Sequence, residues 1–175
     1  MQVFTISGKA GAGKDHFANV LADCFKRDSR SVLITHYADL LKYILQRYCD
    51  WDGNKDELGR QLLQYVGTNV FRNKVDENYW VDFLISMLQT LGSRWDIVII
   101  PDARFPNEIT RMAQAFHTRS IFVQRDFEST LSRSEANHES ENALDGFDFD
   151  FYIDNDGDST YLREQAQFVV NMHLL

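Results

Sequence analysis

One glycine-rich stretch near the start of the chain constrains its fold more than any other: Gly8-Lys9-Ala10-Gly11-Ala12-Gly13-Lys14-Asp15. It follows the apolar run Val3-Phe4-Thr5-Ile6 and precedes apolar residues at helical spacing, which predicts a strand, a loop and a helix. Gly8, Gly13 and Lys14 have the spacing G-x-x-x-x-G-K of a phosphate-binding loop. The residues are small because several backbone N–H groups must approach a polyphosphate, and the following helix turns its positive end towards the anion. The stretch predicts nucleotide binding, with Lys14 neutralising the β- and γ-phosphates.

Two aspartates are candidate magnesium ligands. Asp15 stands where most such loops carry Ser or Thr, and a carboxylate can hold Mg²⁺ directly or through water. Asp102 follows an apolar run, and an acidic residue after such a strand is a common second magnesium anchor in proteins with this loop. The alternative for Asp102 is a salt bridge with Arg104. Mg²⁺ is therefore an expected cofactor beside the bound nucleotide.

Composition narrows the expected partners. The 175 residues suffice for one domain with a core and are few for two, so we expect a single domain over residues 1–175. With 18 basic and 26 acidic residues, the net charge of −8 argues against a general surface for nucleic acid or membranes. Cys24 and Cys49 suggest neither a disulfide framework nor a metal site. We expect no signal peptide and no membrane span, and hence a cytoplasmic protein.

Predicted strands and helices alternate along the chain. Strands are predicted at Val3–Ile6, Ser31–Tyr37, Asp96–Ile100, Ser120–Gln124 and Phe149–Ile153. Helices are predicted between them, most clearly over Tyr79–Leu91, whereas Thr68–Asn78 is predicted to be a polar loop. Asp39 is expected to cap the helix that follows the second strand, or to bind an acceptor. The alternation predicts an α/β, three-layer P-loop NTPase fold: a five-stranded parallel sheet with helices on both faces and ligands at the carboxyl ends of its strands.

Residues 125–146 are polar, lack strong periodicity and are long for a connection, which indicates a mobile lid. Basic side chains on the expected ligand side are candidate phosphate ligands, because the planar guanidinium group matches phosphate oxygens. Any one of these side chains alone could simply be solvated at the protein surface. Several of them on the same side of an acidic protein favour a phosphate-binding site. These candidates are Lys9, Arg60, Arg72, Arg104 and Arg125, with Arg133 and His138 in the lid.

Six stretches resemble the bacteriophage-type deoxynucleoside monophosphate kinases, which share a superfamily with animal phosphomevalonate kinases. The most specific is Asp102-Ala103-Arg104-Phe105-Pro106-Asn107-Glu108, close to the family's D-V-R-F-P-N-E, although Pro101 replaces a small polar residue common before it. Asp15 agrees with this family while departing from the general loop motif. The other five stretches, in the family's order, are residues 7–15, 37–42 (YADLLK), 59–68 (GRQLLQYVGT) with Arg72 and 79–81 (YWV), 138–141 (HESE) and 153–157 (IDNDG).

The resemblance implies a kinase that uses ATP and Mg²⁺ to convert a (deoxy)nucleoside monophosphate into its diphosphate. It implies that the phosphates of ATP lie on Gly11–Asp15, with a further donor-site turn near the adenine. The acceptor would bind within about residues 37–80 and at the DARFPNE stretch. In the implied site, Lys14, Arg104, Arg125 and Arg133 are catalytic; Gly8, Lys9, Gly11, Ala12, Gly13, Lys14, Asp15, Asn155 and Gly157 bind ATP; Tyr37, Asp39, Arg60, Arg72, Arg104 and His138 bind the acceptor; and Asp15 and Asp102 hold the metal.

Other interpretations of the residues remain open. A kinase of a small phosphorylated metabolite such as phosphomevalonate would share the fold but would have a basic acceptor pocket without a base-stacking wall. A nucleotide-binding regulatory protein would bind nucleotide without acceptor-dependent ADP production. If the chain is phage-encoded, the expected location is the host cytoplasm, and an exposed apolar helix face could support a homodimer.

Overall fold

A five-stranded parallel sheet forms the centre of residues 1–126 and 138–173, the part of the chain that the computed structural model describes. Its spatial order is β2-β3-β1-β4-β5, and β1 lies in the middle, where Val3 pairs with Val98 on one side and Thr118 on the other. The strands are β1 (Gln2–Ser7), β2 (Val32–Ile34), β3 (Ile97–Ile100), β4 (His117–Gln124) and β5 (Phe151–Asp154).

Helices connect the strands, as parallel pairing requires. They are α1 (Lys14–Arg27), α2 (Asp39–Tyr48), α3 (Glu57–Gln64), a π-helix (Tyr65–Val75), α4 (Tyr79–Leu91), a 3₁₀ turn (Gly92–Arg94), α5 (Pro106–Ala115), the short α6 (Glu139–Asn142) and α7 (Ser159–His173). In the two described ranges, no helix has the length and apolar character needed to cross a membrane.

The central strand shows how both faces of the sheet are covered. Phe4 and Ile6 of β1 point into a core formed with α1 and α7, whereas Val3 points into a second core formed with α2, α4 and α5. Because successive side chains of a strand point to opposite faces, a strand covered on both sides buries all of its residues, and the four residues of β3 are all buried and apolar. The predicted three-layer α/β fold is confirmed.

The predicted element bounds were less accurate than the architecture. Strand β2 is only Val32–Ile34, shorter than the predicted Ser31–Tyr37, while β4 begins three residues before the predicted Ser120. The polar loop predicted over Thr68–Asn78 is wrong, because the chain continues from α3 into the π-helix as far as Val75. The i→i+5 hydrogen bonds of a π-helix do not produce the 3.6-residue period by which helices are recognised in sequences.

Candidate active site

The glycine-rich stretch forms a loop between the central strand and α1, and we call residues 8–13 the phosphate loop. Gly8, Gly11 and Gly13 have φ values of 146°, 88° and 88°, which other residues rarely adopt. A Cβ atom on Gly8 would collide with the Val123 carbonyl oxygen, and one on Gly13 would collide with the side chain of Asn155. Glycine is therefore required at both positions by backbone conformation and by close packing.

The two lysines of this stretch are oriented differently. The Lys14 ammonium group donates to the carbonyl oxygens of Gly8 (2.7 Å) and Lys9 (3.0 Å), and burial lowers its pKa to about 8. The Lys9 ammonium group instead donates to the Glu141 carbonyl oxygen (2.7 Å) and pairs with Asp145 (2.7 Å). Lys14 thus stays with the loop, whereas Lys9 fastens the loop to the segment around α6.

A cavity of about 390 Å³ opens next to the phosphate loop, and we call it the central cavity. It lies at the carboxyl ends of the strands, where ligands bind in sheets of this kind. Charged residues line the cavity from the phosphate loop to the region where the acceptor is expected. Apolar residues of α2, α3 and α4 also line it. Its lining includes Lys14, Asp15, His36, Tyr37, Leu41, Arg60, Leu63, Arg72, Trp80, Asp102, Arg104, Glu108 and Glu141.

Arg72 is held rigidly in the wall of this cavity. Its side chain is 10% exposed, its guanidinium carbon lies 3.6 Å from the centre of the Phe105 ring, and it donates a hydrogen bond to Asn107. Its Nη1 also lies 3.5 Å from a carboxylate oxygen of Glu108. The π-helix therefore carries Arg72, while the DARFPNE stretch fixes its orientation.

Glu108 was part of the sequence motif but received no role from it. The residue is 5% exposed, and its Oε2 accepts hydrogen bonds from the backbone N–H groups of Arg104 (2.7 Å) and Phe105 (3.1 Å). Burial raises its pKa to about 7, against the opposing effects of these hydrogen bonds and of Arg72. Glu108 thus fixes the start of α5 and the positions of the two arginines beside it.

Arg104 points across the cavity towards α6. Its guanidinium group pairs with the Glu141 carboxylate, and the other oxygen of that carboxylate accepts from the backbone N–H of Ala10 in the phosphate loop (3.2 Å). Arg104 also reaches the Ser140 carbonyl oxygen at 3.5 Å. The sequence predicted a role for Arg104 but not its connection to the loop through Glu141.

His36 is a titratable group of the cavity that was not among the predicted site residues. Its Nε2 lies 3.1 Å from Asp15 and its Nδ1 lies 3.3 Å from Asp39, so the ring bridges two carboxylates. The hydrogen bond with Asp15, reinforced by Asp39, raises the pKa of His36 to about 9 and lowers that of Asp15. The predicted strand Ser31–Tyr37 included His36, whereas β2 ends at Ile34 and leaves His36 on the ligand side of the sheet.

Asp39 does not cap α2, and that prediction is wrong. Ala38 is the N-cap residue, while the Asp39 carboxylate turns back to accept from the backbone N–H of His36 (2.8 Å) and pairs with Lys42 (3.1 Å). Burial alone would raise the pKa of Asp39, but the hydrogen bonds from His36 and Lys42 outweigh it and lower the pKa. Asp39 acts on the cavity through these neighbours, since it is not part of the lining.

The two candidate metal ligands both line the central cavity. The Asp102 carboxylate accepts from the backbone N–H groups of Tyr37 (2.9 Å) and Ala38 (3.0 Å), whereas the Asp15 side chain is 73% exposed. Among the described residues, no group of three or more His, Cys, Asp or Glu side chains could hold a metal ion. Two carboxylates beside a phosphate-binding loop still suit Mg²⁺, which takes one or two carboxylates and completes its shell with water and substrate phosphates.

Several predicted site residues lie elsewhere. Arg125 is exposed and outside the cavity lining, and His138 caps α6 by accepting from the backbone N–H of Ser140 (3.2 Å). Asn155 donates to the Ala12 carbonyl oxygen (2.8 Å), which joins the turn that also contains Gly157 to the phosphate loop. Arg133 lies outside the described residues.

Tyr37 and Ala12 contribute mainly to packing. Tyr37 lines the cavity but is only 4% exposed, and its hydroxyl donates to the Glu108 carbonyl oxygen (2.8 Å). Ala12 is buried against the core beside α1.

Comparison with known proteins identifies the family. A family model described as deoxynucleotide monophosphate kinase matches residues 51–165, about two thirds of the chain. The chain belongs to the deoxynucleotide monophosphate kinase family. The matched region begins before α3 and ends within α7, so it contains the arginines of the cavity, the DARFPNE stretch and α6, and excludes the phosphate loop.

Two phage members of the deoxynucleotide monophosphate kinase family are similar over part of their length. The enzyme of Enterobacteria phage T4 is 34% identical over 99 residues, covering 56% of this chain and 39% of that protein. The enzyme of Escherichia phage RB69 is 32% identical over 112 residues, covering 63% and 44%. The matched part of the chain therefore spans less than half the length of these curated relatives.

Solved structures of two kinases share the fold of this chain. The Mycobacterium tuberculosis APS kinase, solved in complex with AMPPNP and APS, has a TM-score of 0.58 at 15% identity, covering 99% of this chain and 98% of that one. Shikimate kinase from Aquifex aeolicus has a TM-score of 0.51 at 12% identity, covering 99% and 98%. At such low identity these likenesses establish the α/β fold alone.

Proposed function

We propose that the chain catalyses phosphoryl transfer from ATP, with Mg²⁺, to a deoxynucleoside monophosphate, giving the diphosphate. One observation carries the proposal: a single cavity joins the phosphate loop to Arg60, Arg72 and Arg104. A kinase whose acceptor is itself a phosphate must hold two anionic groups close together, and this cavity offers cations for both. Membership of the deoxynucleotide monophosphate kinase family supports the same assignment.

The donor phosphates would lie on Gly11–Asp15. The backbone N–H groups at the start of α1 and the Lys14 ammonium group would surround them. The turn containing Asn155 and Gly157 would border the donor base, an arrangement supported by the hydrogen bond from Asn155 to the phosphate loop. Lys9 faces the segment around α6, so we assign it to holding that segment instead of binding phosphate.

The acceptor phosphate would lie between Arg60, Arg72 and Arg104. The nearby apolar lining from Leu41, Leu63 and Trp80 suits the base and sugar of a nucleotide better than a small metabolite without a ring system. Trp80 is held by a hydrogen bond from its indole N–H to the Gly67 carbonyl oxygen (3.0 Å). We therefore infer that this wall contacts the acceptor base.

The residues of the cavity are suited to alignment and charge neutralisation. A phosphate acceptor is largely dianionic at neutral pH, because its second pKa is about 6, so the transfer requires no strong general base. Asp15 and Asp102 would hold Mg²⁺, which would neutralise charge on the transferring phosphate. Roles for Arg125, Arg133 and His138 above the reaction, a mobile lid, a homodimer and the single-domain organisation stay predictions.

The test measures ADP release from ATP and Mg²⁺ with a panel of dNMPs, NMPs and phosphomevalonate, and with a control that lacks an acceptor. Strong stimulation by one or a few dNMPs is the expected result, and its pattern gives the base and sugar preference. Stimulation by phosphomevalonate alone would show that the acceptor is not a nucleotide. ADP release at the same rate with and without every acceptor would refute the kinase assignment. Arg72→Lys should retain charge but lose rate, since lysine cannot reproduce the planar contacts to Phe105 and Asn107.

A further inference from the structure

The Glu141 carboxylate lies where the phosphate loop presents a backbone donor. One oxygen accepts from the backbone N–H of Ala10 (3.2 Å), and the other pairs with Arg104. The Glu141 side chain is 7% exposed, so solvent weakens these contacts little. Glu141 belongs to the HESE stretch, to which the sequence analysis gave a resemblance but no chemistry for this residue.

These contacts are those that a phosphate oxygen would make. A nucleotide bound to a phosphate loop accepts hydrogen bonds from loop N–H groups and is neutralised by the loop lysine and by arginines. Glu141 already engages one such N–H group and one such arginine, and its charge is also close enough to act on Lys14. The carboxylate is therefore an internal substitute for part of the polyphosphate.

The loop lysine is also engaged within the chain. The Lys14 ammonium group donates to two carbonyl oxygens of the loop, so it too must turn to reach a phosphate. In contrast, Lys9 holds the segment after Glu141 through Asp145 and the Asn142 side chain (3.2 Å). Glu141 can thus leave the loop by rotation of its side chain while α6 remains attached.

We propose that Glu141 competes with the polyphosphate of the nucleotide for the phosphate loop and, through this contact, positions Arg104 until the nucleotide displaces it. This inference rests on the proposed function, since it takes the loop to be a nucleotide site. Its consequence is a lowered affinity for polyphosphate in the native protein. Displacement of the carboxylate releases Arg104 towards the incoming phosphate.

The test compares Glu141→Gln with Glu139→Gln. Glutamine keeps the shape and a carbonyl acceptor but removes the negative charge, so the ion pair with Arg104 is lost. Glu139 is exposed and lies two residues away on α6, so its variant makes the same charge change without the contact to the loop. The probes are inorganic tripolyphosphate and AMPPNP, titrated calorimetrically into each full-length protein.

We expect Glu141→Gln to bind tripolyphosphate about tenfold more tightly than the native protein, because a charge-assisted contact no longer competes, while Glu139→Gln changes little. A merely structural role predicts weaker binding instead. Native-like circular dichroism checks the fold. If Glu141→Gln does not fold, Glu141→Asp replaces it; its shorter side chain should also bind more tightly than the native protein.

The outcomes separate this inference from the function on which it rests. If the native protein binds both probes and the variant at Glu141 binds them equally or more weakly, competition is refuted and the nucleotide site stands. If no protein binds either probe, the loop is not a polyphosphate site, which overturns the competition and the proposed kinase together.

Discussion

The buried carboxyl group of Glu108 should make the stability of the protein depend on pH in a way that one substitution removes. Its pKa rises from an ordinary 4.5 to about 7, chiefly through burial. The folded protein therefore keeps a proton that the unfolded chain releases between these values. This contribution to the free energy of unfolding is full below pH 4.5 and is lost as the pH rises through 7, and its size is roughly 3 kcal/mol.

The charges that face Glu108 come from three parts of the fold. Arg72 on the π-helix lies 3.5 Å away and favours ionisation, as do the backbone N–H groups of Arg104 and Phe105, whereas the Asp102 carboxylate opposes it. Glu108→Gln mimics the protonated form, because the amide is neutral and its oxygen can accept the same backbone hydrogen bonds. The variant should therefore keep its stability where the native protein loses it.

The assay is urea unfolding of both proteins at several pH values between 4.5 and 8.5. The result is the difference in the free energy of unfolding between the native protein and Glu108→Gln at each pH. His36, with its pKa raised to about 9, also stabilises the fold less as the pH rises, but its effect is the same in both proteins and cancels in the difference. Glu164→Gln on the exposed face of α7 is the matched control. If the free energy of unfolding of the native protein differs from that of Glu108→Gln by the same amount at every pH, Arg72 keeps Glu108 ionised. That result would refute the reasoning.

Three further predictions test other contacts. Gly13→Ala should destabilise the protein by a few kcal/mol and abolish AMPPNP binding, whereas Gly146→Ala, with a similar φ of 83° but open space around it, should cost only about 1 kcal/mol; equal losses in urea unfolding would contradict this. Asn107→Ala should lower stability by about 1–3 kcal/mol and raise the KM for the acceptor, because Arg72 loses a partner; an unchanged KM in the ADP-release assay would exclude positioning of that arginine. Trp80→Phe should cost about 1–3 kcal/mol, measured by thermal unfolding, because a buried carbonyl oxygen of the π-helix loses its donor.

Local sequence patterns predicted the parts of the site that local geometry determines. The strand, phosphate loop and α1 follow from consecutive residues, because glycine conformation, loop length and apolar spacing are encoded side by side. The DARFPNE stretch likewise brings Asp102 and Arg104 to the cavity, because it follows directly from a central strand. The family resemblance is confirmed, while the roles assigned to individual residues stay predictions.

Contacts between distant charged groups could not be predicted in the same way. The contacts of Lys9 with Asp145 and of Ala10 with Glu141 depend on how α6 packs against the phosphate loop. The spacing of residues along the sequence does not indicate that packing. His36 was missed because a single histidine in an apolar run carries no local signal of its two carboxylate partners. Asp39 illustrates the same limit. An aspartate at the start of a helix suggested an N-cap, but its carboxylate contacts His36 and Lys42 instead.

The central position of β1 has a consequence for how the chain folds. Both of its neighbours, β3 and β4, follow it only after most of the helices on one face of the sheet, so Val3 cannot meet Val98 or Thr118 until the intervening chain has been made. Pairing over such long stretches slows folding, and an apolar strand without neighbours is prone to associate with other chains. During synthesis, β1 must therefore wait for strands that are made after it, and the phosphate loop attached to it cannot form before β3 and β4 are available.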